Sequence, residues 1–185
     1  QMKKGNPAVV GLAGFGMTTL LLQLHNLGLV GWGPIISLGL IFGGLAQMIA
    51  GFQEQKVGNN FGYSAFVSYG AFWIGLSLIK LFNHYGIYSS STEDVGFYLF
   101  GWTLYTAIMF IASLRVHKAM SITFGTLLIG FILLVLEHFY FPQLKAIAAI
   151  DLIICAFAAW YMMAGIIIND LAGKTVLPMG EKFVK

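Results

Sequence analysis

The chain has 185 residues, of which 58% are hydrophobic and only 9% are charged, and its mean hydropathy is +0.83. A soluble domain carries roughly 25% charged residues, so water is not the main solvent of this protein. The formal net charge of +3 is small and scattered, which argues against nucleic acid as a partner. The single Cys155 excludes an intrachain disulfide and a cysteine-based metal cluster.

Six apolar segments follow one another with short connections between them. They cover residues 7–24, 34–52, 61–82, 95–114, 119–136 and 146–168. A bilayer core of ~30 Å needs roughly 20 apolar residues in a helix. The sequence therefore predicts an all-α integral membrane protein in the lipid bilayer, with residues 1–185 forming a single six-helix transmembrane domain.

The first segment follows Lys3 and Lys4, as the apolar region of a signal peptide would. It is longer than the roughly 7–15 residues of such a region, and Gln23, His25 and Asn26 do not form a small-residue cleavage site. We therefore expect it to be the first membrane helix.

Local sequence also marks several helix starts. Asn6 before Pro7 is typical of an N-cap followed by the first helical residue, and Gly33 before Pro34 repeats that pattern. The fourth segment follows Thr92 and Asp94, either of which could cap it.

The basic residues predict the orientation of the segments. If the segments alternate across the membrane, one side receives eight basic residues and the other receives Lys80 and Lys145. The eight are Lys3, Lys4, Lys56, Arg115, Lys118, Lys174, Lys182 and Lys185. Because basic loops stay in the cytoplasm, we expect a multi-pass protein of the cell (plasma) membrane with both termini cytoplasmic.

Polar side chains at membrane depth are costly and are therefore candidates for function. Gly44, Gln47, Gly51 and Glu54 follow a helical spacing and share one face of the second segment. They predict a polar track leading inward from the cytoplasmic mouth. Alternatively, Gln47 bonds to a neighbouring helix and Glu54 only ends its own helix.

Three further polar residues lie in the apolar segments. Thr18 and Thr19 in the first segment are binding candidates, although threonines in membrane helices commonly bond back to a carbonyl one turn earlier. Asp151 lies about five residues into the last segment, where either a helix N-terminus or a proton relay accounts for it.

No enzymatic or metal centre is predicted. The four histidines, His25, His84, His117 and His138, fall at segment ends without metal-ligand spacing. The sequence has no phosphate-binding loop, nucleophile elbow or H-E-x-x-H motif. We therefore expect neither enzyme activity nor a cofactor.

Two blocks of sequence combine glycines with polar and aromatic residues at defined spacing. The first is Asn6-Pro7-Ala8, Gly11-Leu12 and Phe15-Gly16-x-Thr18-Thr19. The second runs from Gly43-Gly44-x-x-Gln47 through Glu54 and Asn59-x-Phe61-Gly62 to Ser68-Tyr69-Gly70-x-Phe72-Trp73. Both blocks resemble the acetate uptake transporter family, which usually has a second proline where this chain has Val9. Later segments match mainly in hydropathy.

The resemblance implies a protomer with its own pore, assembled into a homo-hexamer, that passes acetate and sometimes succinate. It also implies a hydrophobic gate made by Phe15 and Tyr69, together with Leu127. Independently, each of these three residues lies about eight residues, or ~12 Å, from the start of an outward helix, so all three reach one depth.

The start of the first helix is a plausible station for a carboxylate. Its positive end, with Asn6, Pro7 and Ala8, suits an anion, although Asn6 could equally serve only as a cap. Transport by an anion channel and proton-coupled symport both fit the residues. A membrane protein for another small solute is the alternative function.

Overall fold

Six apolar helical spans make up the structure, a computed structural model that describes residues 4–185. The first span is α1 (Ala8–Asn26). The second contains α2 (Trp32–Leu40), a π-helical stretch (Ile41–Ala46) and α3 (Gln47–Lys56). The others are α4 (Asn60–Tyr85), α5 (Thr92–Ser113), α6 (Lys118–Phe139) and α7 (Lys145–Ala172), the last preceded by a 3₁₀ turn at Pro142–Leu144. All six are long and apolar enough to cross a membrane, which confirms the predicted fold class.

Short polar motifs set the helix starts. The Asn6 side chain accepts the Ala8 N–H at 2.9 Å, so Asn6 caps the first turn as predicted. The second span begins at Trp32 after Gly31, which places Pro34 at its third residue and makes the expected Gly33 cap wrong. For α5 the cap is Ser91, whose side chain forms a reciprocal capping box with Asp94.

Small residues allow the helices to approach closely. On α7 the buried face is made of Ala148, Ala149, Cys155 and Ala159, all with no exposed surface. In a bilayer, lipid supplies no hydrophobic drive between helices, so such faces associate through close van der Waals contact. At Gly70 an added Cβ atom would lie 2.8 Å from the Gly44 carbonyl oxygen, and this close approach holds α4 against the π-helical stretch.

The segment after α7 runs back along the ends of α5, α6 and α7. Asn169 binds both Val176 and Leu177 through their backbone N–H groups. The Ala119 N–H donates to the Met179 carbonyl at 2.9 Å, and the Phe183 N–H donates to the Leu114 carbonyl. The C-terminal residues therefore tie the start of α6 to the end of α5. Of the basic residues used to predict orientation, Lys3 lies outside the described residues.

Candidate transport pathway

A small cavity lies between the N-terminal halves of α1, α4 and α6, next to α3 and α7. Its volume is about 60 Å³, and its wall is mostly aromatic and aliphatic. Each water needs roughly 10–15 Å³ of such volume, so the cavity holds about four to six water-sized units. We call this space the first cavity. It is lined by Ala8, Leu12, Phe15, Gln47, Glu54, Asn59, Phe61, Gly62, Ala65, Phe66, Tyr69, Met120, Thr123, Phe124, Leu127 and Met162.

A second cavity of about 30 Å³ lies further along the helix bundle. Phe15, Tyr69 and Leu127 line both cavities and are all buried. The rings of Phe15 and Tyr69 meet edge to face with their centroids 5.9 Å apart. The three side chains that the sequence assigned to a gate therefore separate two neighbouring cavities.

The Tyr69 hydroxyl is not left open to either cavity. It pairs with the Thr106 hydroxyl of α5 at 2.8 Å, and both residues are buried. Nothing in the sequence indicated this partner, because Thr106 lies 37 residues further along the chain. The bond fixes the ring of Tyr69 in the partition between the cavities.

A vestibule of about 320 Å³ opens at the opposite ends of the helices. Leu22, Phe72 and Leu134 line both this vestibule and the second cavity, and all three are buried. They form a second apolar partition that the sequence analysis did not assign. Phe72 lies within the second block that resembles the family, and this position was the one indication in the sequence that it has a role in the pathway. Leu22 and Leu134 are ordinary apolar residues of their helices, and no pattern in the sequence indicated their role.

Basic side chains gather in the vestibule. Lys80 and Lys145, the only two basic residues predicted for that side, both line it. Glu137 and His138 line it as well, with the Glu137 carboxylate 2.6 Å from His138 Nδ1. The Lys80 ammonium lies over the Trp32 ring, 4.7 Å from its centroid. The vestibule is therefore the more polar end of the row of cavities.

Glu54 and Asn59 form a polar pair at the wall of the first cavity. Glu54 is only 3% exposed although it lies near the end of α3, and its Oε2 accepts from Asn59 Nδ2 at 2.9 Å. Asn59 Oδ1 accepts the Gly62 N–H and so caps α4. A Cβ atom at Gly62 would lie 2.8 Å from Asn59 Nδ2 and 2.9 Å from Glu54 Cδ, so only glycine leaves room for the pair.

Gln47 lies on the same wall as Glu54 and is 1% exposed. Its Nε2 donates to the Gly43 carbonyl at 2.7 Å, within its own helix rather than to a neighbouring one. Its Oε1 is buried and has no hydrogen-bond partner among the described residues. Gln47 and Glu54 of the predicted polar stripe therefore line this cavity, whereas Gly44 and Gly51 do not.

The other sequence-predicted candidates are distributed more widely. Ala8 lines the first cavity, whereas Asn6 and Pro7 line a separate surface groove that also contains Lys4 and Lys56. Thr19 lines the second cavity, and its buried hydroxyl has no hydrogen-bond partner within residues 4–185.

Thr18 and Asp151 have packing positions. Thr18 donates to the Gly14 carbonyl at 2.7 Å, one turn earlier, and lies against Gly43. Asp151 faces Gly130 of α6, and its Oδ2 is buried without a hydrogen-bond partner in the described part of the chain. Neither residue lines the two cavities or the vestibule.

Comparison with known proteins relates this arrangement to a family of membrane transporters. Residues 1–179 match the model of the GPR1/FUN34/yaaH family. The chain is 39% identical to the succinate-acetate/proton symporter SatP of Escherichia coli K12 over 182 residues, which is 97% of each protein. It is 34% identical to acetate permease A of Emericella nidulans over 92% of this chain and 62% of that one.

A solved structure also matches. The bacterial acetate channel SatP superimposes with a TM-score of 0.91 at 38% identity, covering 96% of this chain and 100% of that chain. Sequence identity near 40% over almost the whole length, together with the same six-helix fold, establishes common ancestry. The chain therefore belongs to the GPR1/FUN34/yaaH family.

Proposed function

We propose that this protein transports acetate across the membrane, together with other small carboxylates such as succinate, and has no enzymatic activity. One observation carries the proposal: two cavities and a vestibule lie in a row through the helices of one protomer, separated by two thin apolar partitions. The names of three similar proteins support this function, because they describe a symporter, a permease and a channel.

The dimensions suit a small monocarboxylate. An acetate ion has four heavy atoms, which is close to the capacity of the first cavity. A carboxylate loses costly hydration inside an apolar space, so it needs polar groups at both ends of the path and a short apolar crossing between them. The amide groups of Asn59 and Gln47 would supply polar contacts at one end, and Lys80 and Lys145 at the other.

We infer that Phe15, Tyr69 and Leu127 form the gate of this pathway. Their position between two cavities and their shared depth support the assignment. The residues that we expect to contact the substrate are Gln47, Glu54, Ala8 and Thr19. Asn6 and Pro7 would hold the first turn of α1 beside the cavity. Thr18 would pack α1 against the π-helical stretch.

The chain acts as one six-helix transmembrane domain, and we propose that six copies assemble in the plasma membrane. Each pore would lie within a protomer, while large apolar side chains such as Phe97 (66% exposed) and Ile108 (67% exposed) would cover the outside against lipid or neighbouring copies. Native mass spectrometry of detergent-solubilised protein tests this assembly. A monomer or dimer as the largest species would contradict it.

We propose that both termini lie in the cytoplasm, and the asymmetry of basic residues supports this orientation. Membrane-impermeant thiol reagents added to intact cells should label a cysteine at Ser90 but not one at Val57 or Thr175. The native Cys155 is buried and adds little background. Labelling of Val57 and Thr175 variants but not the Ser90 variant would reverse the orientation.

Uptake of radiolabelled acetate into proteoliposomes tests the transport itself. Simultaneous measurement of current separates the two mechanisms, because an anion channel moves one negative charge per acetate and symport of acetate with one proton moves none. Absence of uptake by correctly folded protein would refute the proposed function.

A further inference from the structure

Gln47 lies where the π-helical stretch returns to an α-helix. Its backbone N–H bonds to the carbonyls of Phe42 and Gly44. In an unbroken α-helix this N–H would pair with the Gly43 carbonyl, four residues earlier. Here the Gly43 carbonyl accepts the side-chain Nε2 of Gln47 at 2.7 Å instead. The irregular helix therefore provides a fixed acceptor for the amide of Gln47.

This bond decides which end of the amide Gln47 offers to the first cavity. If the amide were turned over, its oxygen would face the Gly43 oxygen at the same distance, and two acceptors cannot share a hydrogen bond. One N–H of the amide is therefore held by the helix, and Oε1 is the atom without a partner. This oxygen is buried, has no hydrogen-bond partner among the described residues and belongs to a residue that lines the cavity.

The remaining polar groups of the cavity wall also favour a donor as the occupant. Glu54 Oε2 accepts a hydrogen bond from one N–H of Asn59, and the Thr123 hydroxyl already donates to the Ala119 carbonyl. The Tyr69 hydroxyl is paired with Thr106. Among the described residues that line the cavity there is no Lys, Arg or His, and Glu54 is the one acidic side chain.

We propose that the first cavity binds the neutral, protonated form of a small carboxylic acid, whose O–H donates to Gln47 Oε1. A carboxylate anion has acceptors only, and it would place its oxygens against those of Gln47 and Glu54. This inference rests on the proposed function and specifies the form of the substrate. Transport of the neutral acid carries a proton with each carboxylate and needs no separate proton relay.

Two uncharged analogues of acetic acid separate donor recognition from shape. Acetamide has an N–H donor where the acid has its O–H, whereas acetone has the same shape and no donor. At one fixed pH, acetamide should inhibit uptake of radiolabelled acetate in the wild type at a concentration roughly fivefold lower than acetone, the factor expected for one neutral hydrogen bond. Equal inhibition by the two analogues would overturn the proposal.

A matched pair of variants locates the effect. In Gln47→Met the side chain keeps its length and loses Oε1, so the advantage of acetamide over acetone should disappear. In Gln53→Met, which alters an exposed glutamine of the same helix outside this cavity, the advantage should remain. If Gln47→Met binds acetamide as selectively as the wild type, Gln47 is not the acceptor and the proposal fails.

The pH dependence of the wild type is a test that needs no variant. Between about pH 7.5 and about pH 5.5 the neutral acid becomes about a hundredfold more abundant while the anion changes little, since a simple carboxyl group has a pKa of roughly 4–5. The half-saturation concentration should be constant when expressed as neutral acid. A constant value expressed as anion would overturn the proposal.

Failure of the proposed function has a different signature. A folded protein that takes up no acetate, but binds acetamide more tightly than acetone in a calorimetric titration, would refute acetate transport and support the acceptor site. Acetate uptake with no preference for acetamide would leave the transport function in place and refute the acceptor site.

Discussion

The ring of Phe15 meets the ring of Tyr69 edge to face, with centroids 5.9 Å apart, at the boundary between two cavities that both residues line. Phe15 comes from α1 and Tyr69 from α4, so the closed partition depends on the packing of two different helices. Leu127 of α6 completes it. A change in one side chain should therefore join the two cavities.

Phe15→Ala should raise the acetate flux or admit larger carboxylates, because it removes the ring between the cavities. If Phe15 were only a packing residue, its loss would instead destabilise the protein by roughly 3–5 kcal/mol, as in soluble cores, and lower the amount of folded protein. Flux per folded protein in liposomes separates the two outcomes. Phe100→Ala, at a side chain that is 46% exposed on α5, is the control and should leave the flux unchanged.

Tyr69→Phe should keep the ring in the partition but leave the Thr106 hydroxyl without its partner. A buried polar group that loses its hydrogen bond costs about 1–3 kcal/mol, so we expect a lower thermal stability together with altered handling of the carboxylate. Thr106→Val should have a similar effect. The double variant should be less destabilised than the sum of the two single variants, and a simple sum would show that the bond contributes little.

Glu54→Gln tests whether Glu54 titrates during transport. If it does, the variant should transport acetate with no pH dependence beyond that of the substrate, at unchanged protein abundance. If Glu54 has a structural role through its bond to Asn59, abundance should fall first. Uptake at several pH values, normalised to folded protein, distinguishes these outcomes. Normal abundance with the wild-type pH profile would leave Glu54 without a role in transport.

Gly62→Ala should displace the pair of Glu54 and Asn59, because the new Cβ would lie within 3 Å of both side chains. We expect lower transport activity, and a reduced stability that offsets the roughly 1 kcal/mol gained when alanine replaces a helical glycine. Gly101→Ala is the matched control, since its Cβ would meet no atom within 4 Å. Equal effects of the two substitutions would show that the space beside Glu54 is not critical.

His117 makes stability depend on pH in the mildly acidic range. It caps α6 by accepting the Met120 N–H at 3.1 Å on Nδ1, and burial lowers the pKa of its imidazole below the ordinary value of 6.5. The folded protein therefore favours neutral His117. The contribution of the neutral His117 cap to the stability of the folded protein is complete above about pH 6.5. It is lost as the pH falls through the lower pKa of the folded state.

His117→Asn should retain a cap and remove this titration. Thermal unfolding of the wild type in detergent should show a melting temperature that falls as the pH decreases from about 7 to about 5, with a smaller fall for the variant. Parallel curves for the two proteins would show that other groups cause the pH dependence.

Much of this protein is determined by sequence that acts locally. The six spans follow from apolar length, because a bilayer core requires about 20 apolar residues per helix. Asn6 capped α1 as predicted because an N-cap needs only a suitable side chain two or three residues from a free N–H. The common depth of Phe15, Tyr69 and Leu127 likewise follows from residue counts along helices of constant rise.

Only the tertiary structure decided which of these residues meet and which atoms they offer. The bond between Tyr69 and Thr106 joins residues 37 positions apart, and the second partition brings Leu22, Phe72 and Leu134 together from three helices. Neither follows from periodicity, because the hydropathy of a membrane helix does not say which neighbour it packs against. The orientation of the Gln47 amide depends in turn on the π-helical stretch. Close contacts of Gly43 and Gly44 with neighbouring side chains hold this stretch in place, and they exist only once the helices have packed.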